Sequence, residues 1–326
     1  MSAGEAAIHS TRTFDINARV AQALKSIGLP LLGIGVFLLL WQVAAGKIQT
    51  SLGQFPGPSQ VFEQAQGLYA EYRDDRARTA AFYARQEQRS KEARALDANY
   101  VAEFRAYPGK PTFIRQIGTS LKTVFTGFLL ASLVAIPLGI AIGLSSNLYA
   151  AINPLIQLFK PISPLAWLPL VTIAVSALYT NSDGLPKSYI TSAITVMLCS
   201  LWPTLLNTAV GVTSVSSDLV NVSRVLRLNW LRHVRSIVLP ASVPMIFTGL
   251  RLSLGTAWMV LIAAEMLAQN PGLGKFVWDE FQNGNSQSLG RIMVAVLTIG
   301  LIGYLLDRIM LLLQRRVAWD KQAVVR

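Results

Sequence analysis

Few side chains in this 326-residue chain could do chemistry, and they are scattered along it. There are two histidines, His9 and His233, and one cysteine, Cys199. A single cysteine excludes an internal disulfide and a cysteine zinc cluster. No HExxH zinc motif and no GxSxG nucleophile elbow occurs, which argues against a metalloenzyme or serine hydrolase. Gly272-Leu273-Gly274-Lys275-Phe276 lacks both the earlier glycine and the Ser or Thr after lysine that a phosphate-binding loop needs. If ATP drives this protein, another chain binds the nucleotide. What remains is arginine. Between Asp218 and Pro240 the chain carries Arg224, Arg227, Arg232 and Arg235 among apolar residues. At about 100° per residue, Leu219, Val222, Leu226 and Trp230 gather on one side and Arg224, Arg227 and Arg235 opposite, with Asp218 near the N-terminus, where a helix dipole favours an anion. Such a helix suits an anionic lipid surface or a docking partner, and both readings stay open. Arg251 is a second case, because it lies inside an apolar run where charges are rare and usually functional. It is a candidate for an anion pathway; the other reading is a cation that snorkels to the interface or satisfies a helix C-terminus. Glu265 lies roughly 21 Å further along the same helix, too far to pair with Arg251. It is expected to hold the outer mouth.

The surrounding elements are set by composition. The chain is 52% hydrophobic and 14% charged, whereas a soluble domain is about a quarter charged. Its mean hydropathy of +0.43 agrees with an integral membrane protein. The net charge of +12 does not point to nucleic acid, since the basic residues sit beside apolar runs rather than in one soluble patch. The charge-free run Ile27–Ala45 covers roughly 29 Å as a helix, about the thickness of a bilayer core. It is longer than a signal-peptide core and has no clear cleavage site, so it reads as a retained helix. The same counting predicts further spans over about 119–144, 152–179, 187–210, 242–267 and 291–313. The second of these contains Pro154, Pro161, Pro164 and Pro169 and is expected to be kinked or broken. Gly139 and Gly143 form a GxxxG pair that permits close helix approach. Cys199 reads as an inert packing residue. The fold class is therefore all-α with six transmembrane helices.

With six spans, the basic residues Arg12, Arg19 and Lys25, then Arg224, Arg227, Arg232 and Arg235, then Arg308, Arg315, Arg316, Lys321 and Arg326 all fall on one side. The positive-inside bias makes that side cytoplasmic, with both termini there. The expected divisions are a leader over 1–26, a first helix over 27–46, an external segment over 47–117, a core over 118–313 and a tail over 314–326. Residues 63–106 are rich in Ala, Arg and Glu and predict one or two charged helices outside. These are either a solvated insertion or a docking surface. Thr112–Lys122 reads as an amphipathic interface helix leading into the second span.

The segment over 212–240 also resembles the cytoplasmic signature of binding-protein-dependent ABC importer permeases. That signature is Glu-Ala-Ala, three residues, Gly, nine residues, Ile, one residue, Leu-Pro. Asn221-Val222-Ser223, Arg227, Ile237 and Leu239-Pro240 fit its spacing, with the front residues replaced. Phe55-Pro56-Gly57-Pro58-Ser59, Ile136-Pro137-Leu138-Gly139, Gly249-Leu250-Arg251-Leu252, Ala263-Ala264-Glu265-Met266-Leu267 and Pro271-Gly272-Leu273-Gly274 resemble other stretches of the nitrate/sulfonate/taurine branch. Asn221–Leu228 and Phe276-Val277-Trp278-Asp279-Glu280 look nitrate-type.

The resemblance implies a five-helix permease core preceded by one N-terminal helix, set in the bacterial inner membrane. It implies a dimer of two copies, two ATP-binding subunits and a periplasmic substrate-binding protein. ATP and magnesium would be bound by those subunits, with no cofactor and no catalytic residue in this chain. It assigns ATPase docking to Asn221, Ser223, Arg224, Leu226, Arg227 and Trp230. Residues 218–236 would form the coupling helix, and Pro240 would end it. The transported substrate would be nitrate or nitrite, with cyanate, bicarbonate, sulfonate or taurine as alternatives. A secondary carrier or channel is the less favoured class.

Overall fold

The computed structural model describes residues 28–50, 53–97, 101, 104–179, 184–285 and 287–317. The leader with His9, and the tail beyond residue 317, lie outside these. Helices dominate: α1 (Leu29–Lys47), α2 (Pro58–Leu96), α3 (Phe113–Leu144), α4 (Ser146–Phe159), α5 (Pro164–Leu178), α6 (Lys187–Thr213), α7 (Ser217–Val225), α8 (Trp230–His233), α9 (Leu239–Ala268), α10 (Leu273–Asn283) and α11 (Ser288–Val317). Two short antiparallel strands, β1 (Gln49–Thr50) and β2 (Gly53–Gln54), join α1 to α2.

Among the described residues, five continuous helical stretches are long and apolar enough to cross a membrane: α1, α3, α6, the run Trp230–Ala268, and α11. The sixth crossing is broken. α4 and α5 meet at 100°, and each covers only about 21–23 Å, less than a bilayer core of about 30 Å. Pro161 and Pro164 fall at the break, where Ser163 caps α5 by accepting from Leu165 N–H at 3.3 Å.

Contacts between the neighbouring helices require that α4 and α5 together return the chain to its starting face. A Cβ at Gly127 would lie 2.6 Å from Val196, at Gly139 2.7 Å from the Leu205 carbonyl, and at Gly143 2.6 Å from Val212. The partners on α6 advance with the glycines on α3, so α3 and α6 run parallel. Two parallel spans need one crossing between them. The same contacts show why Gly139 and Gly143 are glycines: α6 backbone and side chains occupy the space of a Cβ. α9 runs antiparallel to α6, with Gly211 against Ser242 and Met245, and Gly249 against Thr204 and Asn207. Thr204 Oγ1 donates to Ser253 Oγ at 2.7 Å in this buried contact. α11 closes the other side of α9, where Trp258 Nε1 donates to the Ile299 carbonyl at 3.0 Å and Gln314 Nε2 to Thr248 Oγ1 at 3.0 Å.

α1 stands beside this bundle. Among its residues only Ala45 is buried, and Trp41 Nε1 ties its C-terminal half to the Pro56 carbonyl at 3.1 Å. Leu29, Leu32, Leu39 and Leu40 are exposed, as a lipid-facing helix requires.

The charged insertion folds as a single helix, α2, of 39 residues, within the expected one or two. One local expectation differs from the structure. Thr112–Lys122 forms no separate interface helix, because α3 runs unbroken from Phe113 for 32 residues. Phe113, Gln116 and Ser120 on this stretch are buried against the bundle rather than laid on the interface.

Candidate functional site: the coupling segment and its supports

Residues between α6 and α9 do not form one amphipathic helix. α7 ends at Val225, and α8 begins at Trp230. Between them Arg227 has φ of 49°, a left-handed conformation. This conformation costs an L-residue with a Cβ about 1–2 kcal/mol, and glycine takes it freely. Arg227 occupies the position of the signature glycine, so the turn is kept and the residue that suits it is not. The turn is held by Arg227 N–H to the Arg224 carbonyl at 3.1 Å and Leu228 N–H to the Ser223 carbonyl at 3.1 Å.

Pro240 does not end the helix either. Val234–Val238 forms a π-turn, with Leu239 N–H donating to the Val234 carbonyl, and the chain continues helical into α9. The widened turn accommodates the proline ring, which in a regular α-helix would press on the carbonyl four residues back. The segment is therefore a short helix, α7, set on a helical extension of the fifth crossing.

Of the six candidate docking residues, Asn221, Arg224, Leu226, Arg227 and Trp230 are exposed. Leu226 and Trp230 expose 63% and 65% of their surface, beside Leu219, Val222, Val225 and Leu231. An apolar patch of this kind rimmed by arginines is what a protein partner covers. Ser223 is placed differently: it is buried, and its Oγ lies 2.8 Å from His233 Nδ1. It pins α7 to α8. His233, free of any role by sequence, is the other half of that pin.

Arg251 points to α11, where its Nε lies 2.6 Å from Asp307 Oδ1 and its Nη2 3.0 Å from Oδ2. The pair lines a cavity of about 200 Å³ with Gly255, Trp258, Met259 and Gly303. Sequence reasoning missed Asp307, although an acid inside the last apolar run was a signal that Arg251 had a partner.

Glu265 is fully buried near the opposite end of α9. Ser120 Oγ on α3 lies 2.9 and 2.7 Å from its two oxygens and accepts Leu273 N–H at 2.8 Å. Gly274 N–H donates to Glu265 Oε2 at 3.1 Å. The carboxylate thus ties α3, α9 and the start of α10 together. A Cβ at Gly272 would lie 2.1 Å from Glu265 Oε1, and one at Gly274 2.1 Å from the Ile262 carbonyl. Both glycines of Pro271-Gly272-Leu273-Gly274 are required by this close approach.

Residues 135–319 match the family described as binding-protein-dependent transport system inner membrane component. The chain belongs to this family. It is accordingly a multi-pass inner-membrane permease subunit, a non-catalytic component of a transport system. It is 38% identical over 207 residues to the nitrate import permease NrtB of Leptolyngbya laminosa, covering 64% of this chain and 70% of the relative. It is 35% identical over 295 residues to the bicarbonate transport system permease CmpB of Synechococcus elongatus, covering 90% of each chain. Its fold is similar to a chain of the inward-facing MetNI methionine ABC transporter, with a TM-score of 0.55 at 14% identity over 63% of this chain and 95% of that one. The six crossings, with a core preceded by α1, agree with a permease of this importer class.

Proposed function

We propose that this chain is the membrane-spanning subunit of an ATP-driven importer for a small inorganic oxyanion, nitrate or nitrite. Two copies would form the pathway, two ATPase subunits would dock on α7, and a soluble binding protein would deliver the anion on the opposite face. The observation that carries the mechanism is the exposed patch of α7 and α8, with Leu226 and Trp230 as anchors and Arg224 and Arg227 as cations for an acidic rim. α8 continues into α9, so displacement of α7 by a closing ATPase is passed to the fifth crossing as a rigid body. The patch lies at the end of the bundle opposite α2 and α10, since α3, the α4–α5 pair and α6 intervene. The basic bias of the sequence supports a cytoplasmic side for α7 and for both termini.

Arg251 supports a scaffold role in this scheme. A carboxylate already occupies the guanidinium edge that would recognise an anion, so the pair clasps α9 to α11. Bicarbonate is the second reading for the substrate, because the bicarbonate permease aligns over more of this chain than the nitrate permease does. Reconstitution with the cognate ATPase and binding protein, followed by competing uptake of labelled nitrate and bicarbonate, decides between them. Nitrate uptake insensitive to excess bicarbonate is the expected result, and failure of any ATPase subunit to co-purify would sink the importer reading itself.

A further inference from the structure

We propose that the distal half of α2 is a docking arm, whose arginine flank receives an acidic surface of the soluble binding protein. The inference rests on the importer reading above and adds the place and chemistry of one contact.

α2 buries one continuous face along its length. Its first turns belong to the bundle: Val61 and Leu68 lie in the main core with Phe113 and Phe276. Glu71 pairs with Arg291 at the start of α11 at 2.7 Å, and Asp75 with Arg115 at the start of α3 at 3.2 Å. Thr79 Oγ1 accepts from Arg115 at 3.1 Å. Beyond Thr79 the partners change. Phe82 meets Tyr107 edge-on at 5.4 Å, Tyr83 OH accepts Tyr107 N–H at 3.2 Å, and the Gln86 amide exchanges two hydrogen bonds with the Arg105 backbone at 2.9 and 2.8 Å. Residues 80–96 therefore extend roughly 25 Å of helix past the bundle, braced by the returning chain alone. An insertion that only filled a gap between spans would not need this extension or its brace.

Arg78, Arg85 and Arg89 follow a seven-and-four spacing that sets them in one stripe, and Arg105 stands beside it on the returning segment. All four are exposed. Of the acids on α2, Glu87 pairs with Lys91 at 2.8 Å and Glu92 with Gln88 at 3.1 Å, Glu71 and Asp75 are engaged as above, and Asp74, four residues before Arg78, forms no ion pair with it. No described carboxylate lies within ion-pair distance of the four arginines, and Arg85 spends only its Nε, on the Ala81 carbonyl at 3.2 Å. Like charges one turn apart repel by a few tenths of a kcal/mol, so the stripe suits an anionic partner. A second copy of this chain would set arginine against arginine. The arm stands at the end of the bundle opposite the ATPase-docking patch, so the acidic partner on that side is the binding protein. Complementary charge of this kind acts mainly on encounter rate and specificity, and it weakens with salt.

The test uses the whole complex in phosphatidylcholine nanodiscs, with ATP hydrolysis followed as binding protein is added. Arg78→Glu/Arg85→Glu/Arg89→Glu should raise the half-saturating binding-protein concentration at least tenfold and flatten its salt dependence. Basal hydrolysis and ATPase content should stay unchanged. The milder Arg78→Gln/Arg85→Gln/Arg89→Gln variant should give about a threefold rise, and it keeps the question answerable if charge reversal lowers expression. An unchanged half-saturating concentration in both variants overturns the proposal. So does a shift that appears in phosphatidylglycerol nanodiscs and vanishes in phosphatidylcholine, because the stripe would then bind lipid. Lack of any stimulation in the unaltered complex would instead refute the importer reading.

Discussion

Arg251 and Asp307 meet edge to edge across α9 and α11, with two parallel hydrogen bonds of 2.6 and 3.0 Å. Each charge lies within a membrane crossing, where its cost is met by the other. Arg251→Gln or Asp307→Asn alone should lower the stability of the assembled complex by on the order of 2–3 kcal/mol, because one charge is left unpaired. The double variant should recover much of the loss. Uptake per assembled complex should stay near normal in all three. Loss of uptake in Arg251→Gln with full assembly, not rescued by Asp307→Asn, would return Arg251 to the anion pathway.

Arg227 gives a prediction of opposite sign. Arg227→Gly should raise thermal stability, by up to about 1–2 kcal/mol, as the left-handed strain is removed. Arg227→Val should lower it, since a branched Cβ fits that conformation worst. Equal melting temperatures for the Gly and Val variants would show that the turn carries no strain.

The docking patch separates charge from anchoring. Arg224→Glu/Arg227→Glu should cut ATPase co-purification or stimulated hydrolysis at least tenfold while the permease still inserts. Trp230→Ala should weaken association further, because an exposed aromatic anchor of this kind typically contributes 2 kcal/mol or more when covered, by order of magnitude. Normal transport by the double reversal would remove this face from coupling.

At the C-terminal end of α9, Ser120→Ala deprives the fully buried Glu265 carboxylate of its hydroxyl partner and should destabilise by about 1–3 kcal/mol. Gly274→Ala should be worse, since its Cβ would collide with the Ile262 carbonyl at 2.1 Å. Detergent-resistant yield and melting temperature check both, and a neutral Gly274→Ala would contradict the close packing.

Topology can be read by thiol labelling in a Cys199→Ser background. Ala84→Cys on the exposed arm should react with an impermeant reagent in intact cells, and Ser217→Cys at the start of α7 should not. The reverse pattern overturns the six-crossing orientation.

The number of crossings, the proline break in the third and the helical character of the insertion were legible in the sequence. Each depends on local quantities: run length against bilayer thickness, missing amide donors, and helical periodicity. The partners were not legible. Ser120 and Glu265 are far apart in the chain, as are Arg251 and Asp307, and their pairing follows from which helices pack side by side and in what direction. The parallel course of α3 and α6 fixes that arrangement, and it appears in the contacts between them, from Thr126 on Tyr189 to Gly143 on Val212. The bend at Arg227 and the π-turn before Pro240 were hidden for a related reason. Periodicity over Asp218–Pro240 fits one helix, but α7 must leave the axis of α9 to stand on the bundle's end. Packing of Ser223 on His233 stabilises that departure against the preference of the local sequence.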